Sequence, residues 1–442
     1  LVDRLTMAQA GATSRDDALA KVIELGRLYH ANGFYPEAAV CWRLLQVEQP
    51  GVARWCYYLA DLDRMASNYP EMSELLTRTT ELAPEYAPAW LLLAGLQFKT
   101  GHLEDAERNY QKRLQLLPGD PYARLGLARI ALQRGQKTEA RRLIEPLTKD
   151  VPNFSSAHNL YAEILASAGD TTGASQQRWL GEKSGRFREA DDPWLDELHG
   201  WCYDFEQLCA LGAVEFQTGY SDRAKVYYER AIQLRPDLVT GYELLAGLFL
   251  KLKEPAKARE TLEQCLPRLK NSKPSLTYYI NLCQAYQDLN QETEMARVAK
   301  EGLQQLGANL ELYSFLGTAL GDLGRSKEAL AAFHQALALN PNAPNPNYNL
   351  GLLLLKLGRR DEAIAAFKQS LVLQPTFPDA LAQLGRMEME AGHPEAAQTY
   401  LQPLMESHPE ILANGHVHAG QAAEAKKDFP LAERHYREGL AL

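Results

Sequence analysis

The apolar residues of this chain fall at helical spacing in short clusters, and the clusters recur as blocks. In the run from Leu310 to Pro341, Tyr313, Leu316 and Gly317 form one cluster, and Ala329, Phe333 and Ala336 form the next. The following run repeats the arrangement with Leu350, Gly351, Ala363, Phe367 and Pro375. A glycine stands between the two clusters of many blocks: Gly101, Gly135, Gly169, Gly219, Gly324, Gly358 and Gly392. Glycine just past a helical run marks a left-handed helix stop. Each block is therefore predicted to be two helices joined by a tight turn. The proline at its end lacks an N–H and restricts the residue before it, which closes the second helix.

The block length is about 34 residues, and the run from Leu310 fills positions 4, 7, 8, 20, 24, 27 and 32 of it. That pattern resembles the tetratricopeptide repeat (TPR), in the form of a bacterial-type multi-repeat protein. The small residues at 8 and 20 sit where two antiparallel helices cross closely, and the aromatic at 24 fills the wedge beside the crossing. Counting outward recovers further units, among them Leu25, Gly26, Ala38, Trp42 and Pro50, then Trp90, Ala94, Ala106, Tyr110 and Pro118. The phase returns later with Leu211, Gly212, Ala224, Tyr228 and Pro236, and ends with Gly420, Ala432 and Tyr436. Met72 and Met295 stand in the usual alanine slot of weaker units. The resemblance implies an all-α fold, a right-handed α-solenoid (superhelix) of about twelve helix-turn-helix units. The expected organisation is a lead-in over 1–18, units one to five over 19–180, an insertion over 181–204, and units six to twelve over 205–442.

In the family, positions 2, 5, 9, 12 and 13 of each first helix face a concave groove, where partners are held. Mapped here, the amino-terminal units present Arg27, His30, Arg54, Tyr57, Asp61, Arg64, Phe98, Lys99, Tyr122 and Arg129, a set in which basic and aromatic groups dominate. The carboxy-terminal units present more acidic groups, such as Glu243, Asp288, Glu311, Asp322 and Glu390. Guanidinium forks suit carboxylates, and aromatic rings offer contact area at low entropy cost. The expected partner is a protein or peptide with an acidic segment or a free C-terminal carboxylate. An ordinary solvated helix face is the competing reading of the same charges.

The insertion breaks the repeat with the run Asp191-Asp192-Pro193-Trp194-Leu195-Asp196-Glu197-Leu198-His199-Gly200-Trp201. Its indoles, Trp194 and Trp201, read either as a plug in the helix stack or as a docking element for a partner. A metal held by Asp191, Asp196, Glu197 and His199 lacks a recognised ligand spacing. The pair His416 and His418 points to opposite sides of a helix.

Composition narrows the picture. The formal net charge of −9 does not suit a nucleic-acid binder as a whole. No stretch approaches the roughly 20 apolar residues of a membrane-spanning helix. No nucleotide-binding glycine loop, nucleophile elbow or zinc-protease motif occurs, so no cofactor, metal or catalytic residue is expected. The six cysteines form no CxxC pair, and a Cys41–Cys56 disulfide is a minority alternative. The chain begins at Leu1, which gives the expectation of a processed or excised piece of a longer product, with a lean toward export over the cytoplasm. The expected function is a non-enzymatic protein-interaction scaffold or adaptor. The alternatives are an assembly or substrate-presenting subunit of an envelope complex, and the repeat region of an enzyme whose catalytic domain lies outside this chain. Self-association through the solenoid ends stays open.

Overall fold

The computed structural model describes residues 14–184, 187, 190–269, 273–407, 417, 420–421, 424 and 428–440. Most of the lead-in, the His416/His418 pair and Pro409 lie outside the described residues. Among the described residues every regular element is helical. The chain forms two compact units, one ending at Arg235 and the other starting at Pro236.

The first unit contains α1 (Arg15–Ala31), α2 (Tyr35–Glu48), α3 (Ala53–Met65), α4 (Tyr69–Leu82), α5 (Ala87–Lys99), α6 (Leu103–Leu116) and α7 (Pro121–Gln133). It continues with α8 (Lys137–Asp150), α9 (Ser155–Ser167), α10 (Thr171–Lys183), the short α11 (Pro193–His199), α12 (Phe205–Gln217) and α13 (Ser221–Leu234). The second unit contains α14 (Val239–Lys251), α15 (Pro255–Cys265), α16 (Leu276–Asp288), α17 (Glu292–Leu306), α18 (Leu310–Asp322) and α19 (Ser326–Leu339). It closes with α20 (Pro344–Lys356), α21 (Arg360–Ser370), α22 (Pro378–Glu390), α23 (Pro394–Ser407) and α24 (Phe429–Leu440). Consecutive helices pack as helix pairs, and successive pairs stack from α1 to α10 and from α14 to α23, which is an α-solenoid arrangement.

The wedge that the repeat pattern implies is present atom by atom. A Cβ added to Gly317 would meet the Phe333 ring at 2.8 Å, and one on Gly351 would meet Phe367 at 2.6 Å. Gly26 stands in the same relation to Trp42. Glycine at position 8 is therefore a packing requirement in these units, since any side chain would drive the aromatic out of its slot. Where the pattern weakens, the wedge is rebuilt. In the α16/α17 pair, Tyr279 and the neighbouring Leu312 close over Gly302.

The inter-helix turns use a left-handed residue, glycine at positions such as Gly101 (φ +84°) and Gly358 (φ +71°). Ser67, Lys253 and Asn290 take the same conformation without being glycine. One buried ion pair was not legible from the repeat. Arg113 fills a slot that usually holds a small residue, and it donates to Asp120, the cap of α7, at 2.8 and 3.1 Å. The α12/α13 pair falls within the first compact unit, and Arg223 and Arg230 of α13 bind the insertion directly.

Candidate functional site

The site is a face of the first unit built from α1, α3 and the residue that leads into α5. Trp42, Trp55 and Tyr58 form an aromatic layer beneath it. Trp42 and Trp55 stack at 5.6 Å, and Tyr58 lies 4.9 Å from Trp42. On that layer rests a buried polar chain. The Trp42 indole donates to Nδ1 of His30 at 3.3 Å, so the ring proton belongs on Nε2 and is donated to Asp61 at 3.1 Å. Arg64 donates to the other Asp61 oxygen at 2.6 and 2.9 Å. Burial alone would raise the Asp61 carboxyl, but His30 and Arg64 outweigh it and hold the pKa below its ordinary value.

Above this chain lies the insertion, and it fills the face. Its helix α11 starts at Pro193, with Asp192 as N-cap accepting from the Leu195 N–H at 3.2 Å. The same carboxylate accepts from the Tyr57 hydroxyl, and from the Tyr86 hydroxyl at 2.5 Å. Burial pushes the Asp192 carboxyl above its usual range, although both phenols hydrogen-bond to it. Burial and the nearby Asp192 hold the Tyr57 and Tyr86 phenols well above their ordinary values, so both remain donors.

Trp194 lies flat on Tyr86, ring centroids 3.5 Å apart, with Tyr57 edge-on at 5.4 Å. Its backbone N–H donates to the Tyr86 hydroxyl, and its carbonyl accepts from Tyr58, each at 3.1 Å. Arg54 sits over the indole at 5.4 Å and reaches Glu197 at 2.6 Å. Arg27 takes the other Glu197 oxygen at 2.6 Å and lies over Trp201 at 5.6 Å. One carboxylate is thus clamped by two guanidiniums from successive helix pairs. The Asn32 amide reads the backbone beyond α11, donating to the Trp201 carbonyl at 2.9 Å and accepting from the Tyr203 N–H at 2.6 Å. On the opposite side, Arg223 binds Asp196, and Arg230 donates to the carbonyls of His199, Gly200 and Cys202. Between α11 and the helices around it remains a cavity of about 370 Å³, lined in part by Asp61, Arg64, Leu195, Leu211 and Arg223.

The structure therefore gathers Arg27, Arg54, Tyr57, Trp194 and Trp201 into one cluster. His30 and Tyr57, expected on an open groove, are buried at 4% and 0% exposure. Hydrogen bonding explains it, because His30 is committed to Asp61 and Trp42, and Tyr57 to Asp192. Trp194 and Trp201 turn inward onto the first unit's own helices, where an outward docking surface was one of the two expected readings. The other groove residues lie elsewhere on the unit. Phe98 joins the apolar cluster around Ala106 and Tyr110, and Lys99 lies over the Tyr69 ring at 4.3 Å. Tyr122 packs against Phe154 and Phe187, and Arg129 is exposed. The sequence pattern does not single out Tyr58, Tyr86, Asn32 or Arg230. Tyr58 and Tyr86 lie near groove positions, and nothing marks the other two.

Asp191, Asp196 and Glu197 of the insertion pair with arginines. Among the described residues no group of three or more His, Cys, Asp or Glu is placed to hold a metal ion. All six cysteines are free thiols, Cys41 and Cys56 included. Burial pushes Cys41 up to about 11 and Cys283 up to about 12, which keeps both unreactive at neutral pH. Among the described residues no helix is long and apolar enough to cross a membrane. In the second unit the corresponding face carries paired charges. Lys356 meets Asp322 at 2.9 Å, and Glu390 is shared by Arg360 and Arg386.

Comparison with known proteins agrees with this architecture. Three family models, each described as a tetratricopeptide repeat, match residues 316–378, residues 106–164 with 354–424, and residues 208–238. The cellulose synthase operon protein C of Pseudomonas fluorescens (strain SBW25) is 24% identical over 313 residues, 66% of this chain and 24% of its own length. The TPR repeat-containing protein YpiA of Bacillus subtilis (strain 168) is 26% identical over 308 residues, 67% of this chain and 64% of its own length. The chain thus spans about a quarter of the first relative and under two thirds of the second. A thermophilic TPR protein of Thermus thermophilus, known from its crystal structure, is 26% identical with a TM-score of 0.35, covering 41% of this chain and 96% of its own. Helix pairs, wedge aromatics, left-handed turns and the three family-model matches together identify tetratricopeptide repeats in this chain.

Proposed function

We propose that this protein is an interaction scaffold that recognises an acidic segment of a partner protein on the face formed by α1, α3 and the start of α5. The observation that carries this reading is the clamp of Arg27 and Arg54 on the single carboxylate of Glu197. Two guanidiniums converging on one carboxylate, beside an aromatic shelf, suit a peptide ligand better than a bare solvated surface. The repeat itself supplies no catalytic group, so function rests on what the face holds.

A photo-crosslinking residue at the exposed position Arg129, farther along the same helix series, tests this in the native host. The expected outcome is one discrete adduct, mapped to an acidic stretch of a single partner. A discrete adduct from Val47, on the outer side of α2, with none from Arg129, would overturn it.

A second reading takes its support from the Pseudomonas relative, whose name ties it to a cellulose synthase operon. On that reading the partner is a component of a polysaccharide-synthesising assembly. Co-purification with synthase subunits, lost on Arg27→Glu with Arg54→Glu, is the expected result. Co-purification unaffected by that variant would place the contact elsewhere.

A further inference from the structure

We infer that residues 191–203 are an internal ligand that occupies the recognition face in cis. The partner is then a segment bearing the same three groups at the same spacing: a carboxylate, a tryptophan two residues on, and a second carboxylate three residues after that. This rests on the reading that the face recognises acidic protein segments, and it names the determinants of that recognition.

Three observations carry it. The contacts made by the face converge on three side chains of one short run: Asp192 on Tyr57 and Tyr86, Trp194 on Tyr86 and Arg54, and Glu197 on Arg27 and Arg54. A linear run read by separate pockets is how helical peptides are recognised in grooves, with a few anchors carrying the affinity. The run also stands outside the repeat. Its Leu198 reaches the apolar cluster of Trp42, Trp55 and Tyr58, so the run docks through apolar as well as polar contacts.

The segment is also built to come off. Helix α11 has seven residues, too few to persist undocked, so release melts it and uncovers the apolar surface beneath Leu198. The clamp is reached by water: the side chains of Glu197, Arg54 and Arg27 are 37%, 29% and 22% exposed. Pairs of that kind hold modestly and exchange partners readily. A pocket of about 370 Å³, open to solvent, runs along one side of α11 and gives water access to Leu195 and Asp196.

Tethering explains why such a segment wins by default. A covalently linked ligand competes at an effective concentration in the millimolar range, so a free partner must bind the same groups better or arrive in several copies. In the resting chain the face is closed to weak acidic ligands and open to a segment that satisfies all three pockets.

A fluorescent peptide of sequence Ala190–Asp204 tests the inference, titrated into the full chain and read by anisotropy. The variant Trp194→Ala/Glu197→Gln weakens the internal segment and leaves every residue of the face in place. The expected result is at least roughly tenfold tighter binding to this variant than to wild type, abolished when Arg54→Glu is added. No binding to a variant that retains its helical circular dichroism would overturn the inference, as would equal binding to both proteins. If the double variant loses its helicity, Glu197→Gln alone gives a smaller gain in the same direction, and no gain there counts against the inference. Failure of the peptide alongside an Arg129 adduct would sink the internal ligand and leave the scaffold reading standing. Peptide binding alongside partner contacts mapped to the outer helices would do the reverse.

Discussion

At the scale of single residues, the repeat pattern was readable because each diagnostic position has a steric reason. Gly317 and Gly351 have no room for a Cβ, and Ala329 and Ala363 are wholly buried at helix crossings. Exceptions are equally physical. Lys253 holds the left-handed turn conformation that glycine takes in other units (φ +61°), and that conformation is strained for a side-chain-bearing residue. Lys253→Gly is expected to stabilise the second unit by about 1 kcal/mol, less the added chain entropy of glycine, read as a higher urea midpoint. Asp61 gives a prediction in pH. Its folded pKa lies below the ordinary 3.8, so the stability it contributes is full above that value and is lost as pH falls through the folded pKa. Acid unfolding of the wild type should steepen below about pH 4, and Asp61→Asn should flatten that part of the curve.

At the scale of elements, the helix pairs followed from the sequence and the fate of the insertion did not. The composition of residues 191–201 announced something apart from the repeat. Its destination depends on contacts made across long stretches of chain, such as Arg54 with Glu197, 143 residues apart. No periodicity encodes such a pairing. The basic and aromatic face and the acidic, tryptophan-bearing run were both visible, as two separate features. Their joining is a tertiary fact. Asp192 is where the element is most exposed to test, being both helix cap and acceptor for two phenols. Asp192→Ala should make opening of α11 easier by about 1–2 kcal/mol, measured by amide exchange at Leu195 to Gly200. The raised pKa of this carboxyl means that its contribution to docking is full below 3.8 and declines as pH rises through the folded value.

At the scale of the whole molecule, each unit is a stack in which every pair depends on its neighbours, and disturbance should travel by adjacency. Ala329 is fully buried where α18 and α19 cross, so Ala329→Trp overpacks that crossing and should cost about 2 kcal/mol or more. Exchange is expected to rise first in α18 to α21 and to leave α7 to α9 unchanged. Uniform loosening of all helices would contradict the nearest-neighbour picture. The first unit differs from a plain stack because the insertion ties α1 and α3 to α13 through Arg27, Arg54, Arg223 and Arg230. On the proposed reading, that tie gives the repeat array a recognition face with its own occupant.

The most direct test of this account is amide hydrogen exchange along residues 193–203 in the wild type and in Arg54→Glu. The account predicts exchange in this run that is faster than in α3 already in the wild type, and faster again by roughly tenfold in the variant, with α7 to α9 unaffected. Exchange in the run as slow as in α3, and unchanged by Arg54→Glu, would contradict it and make the insertion a fixed part of the core.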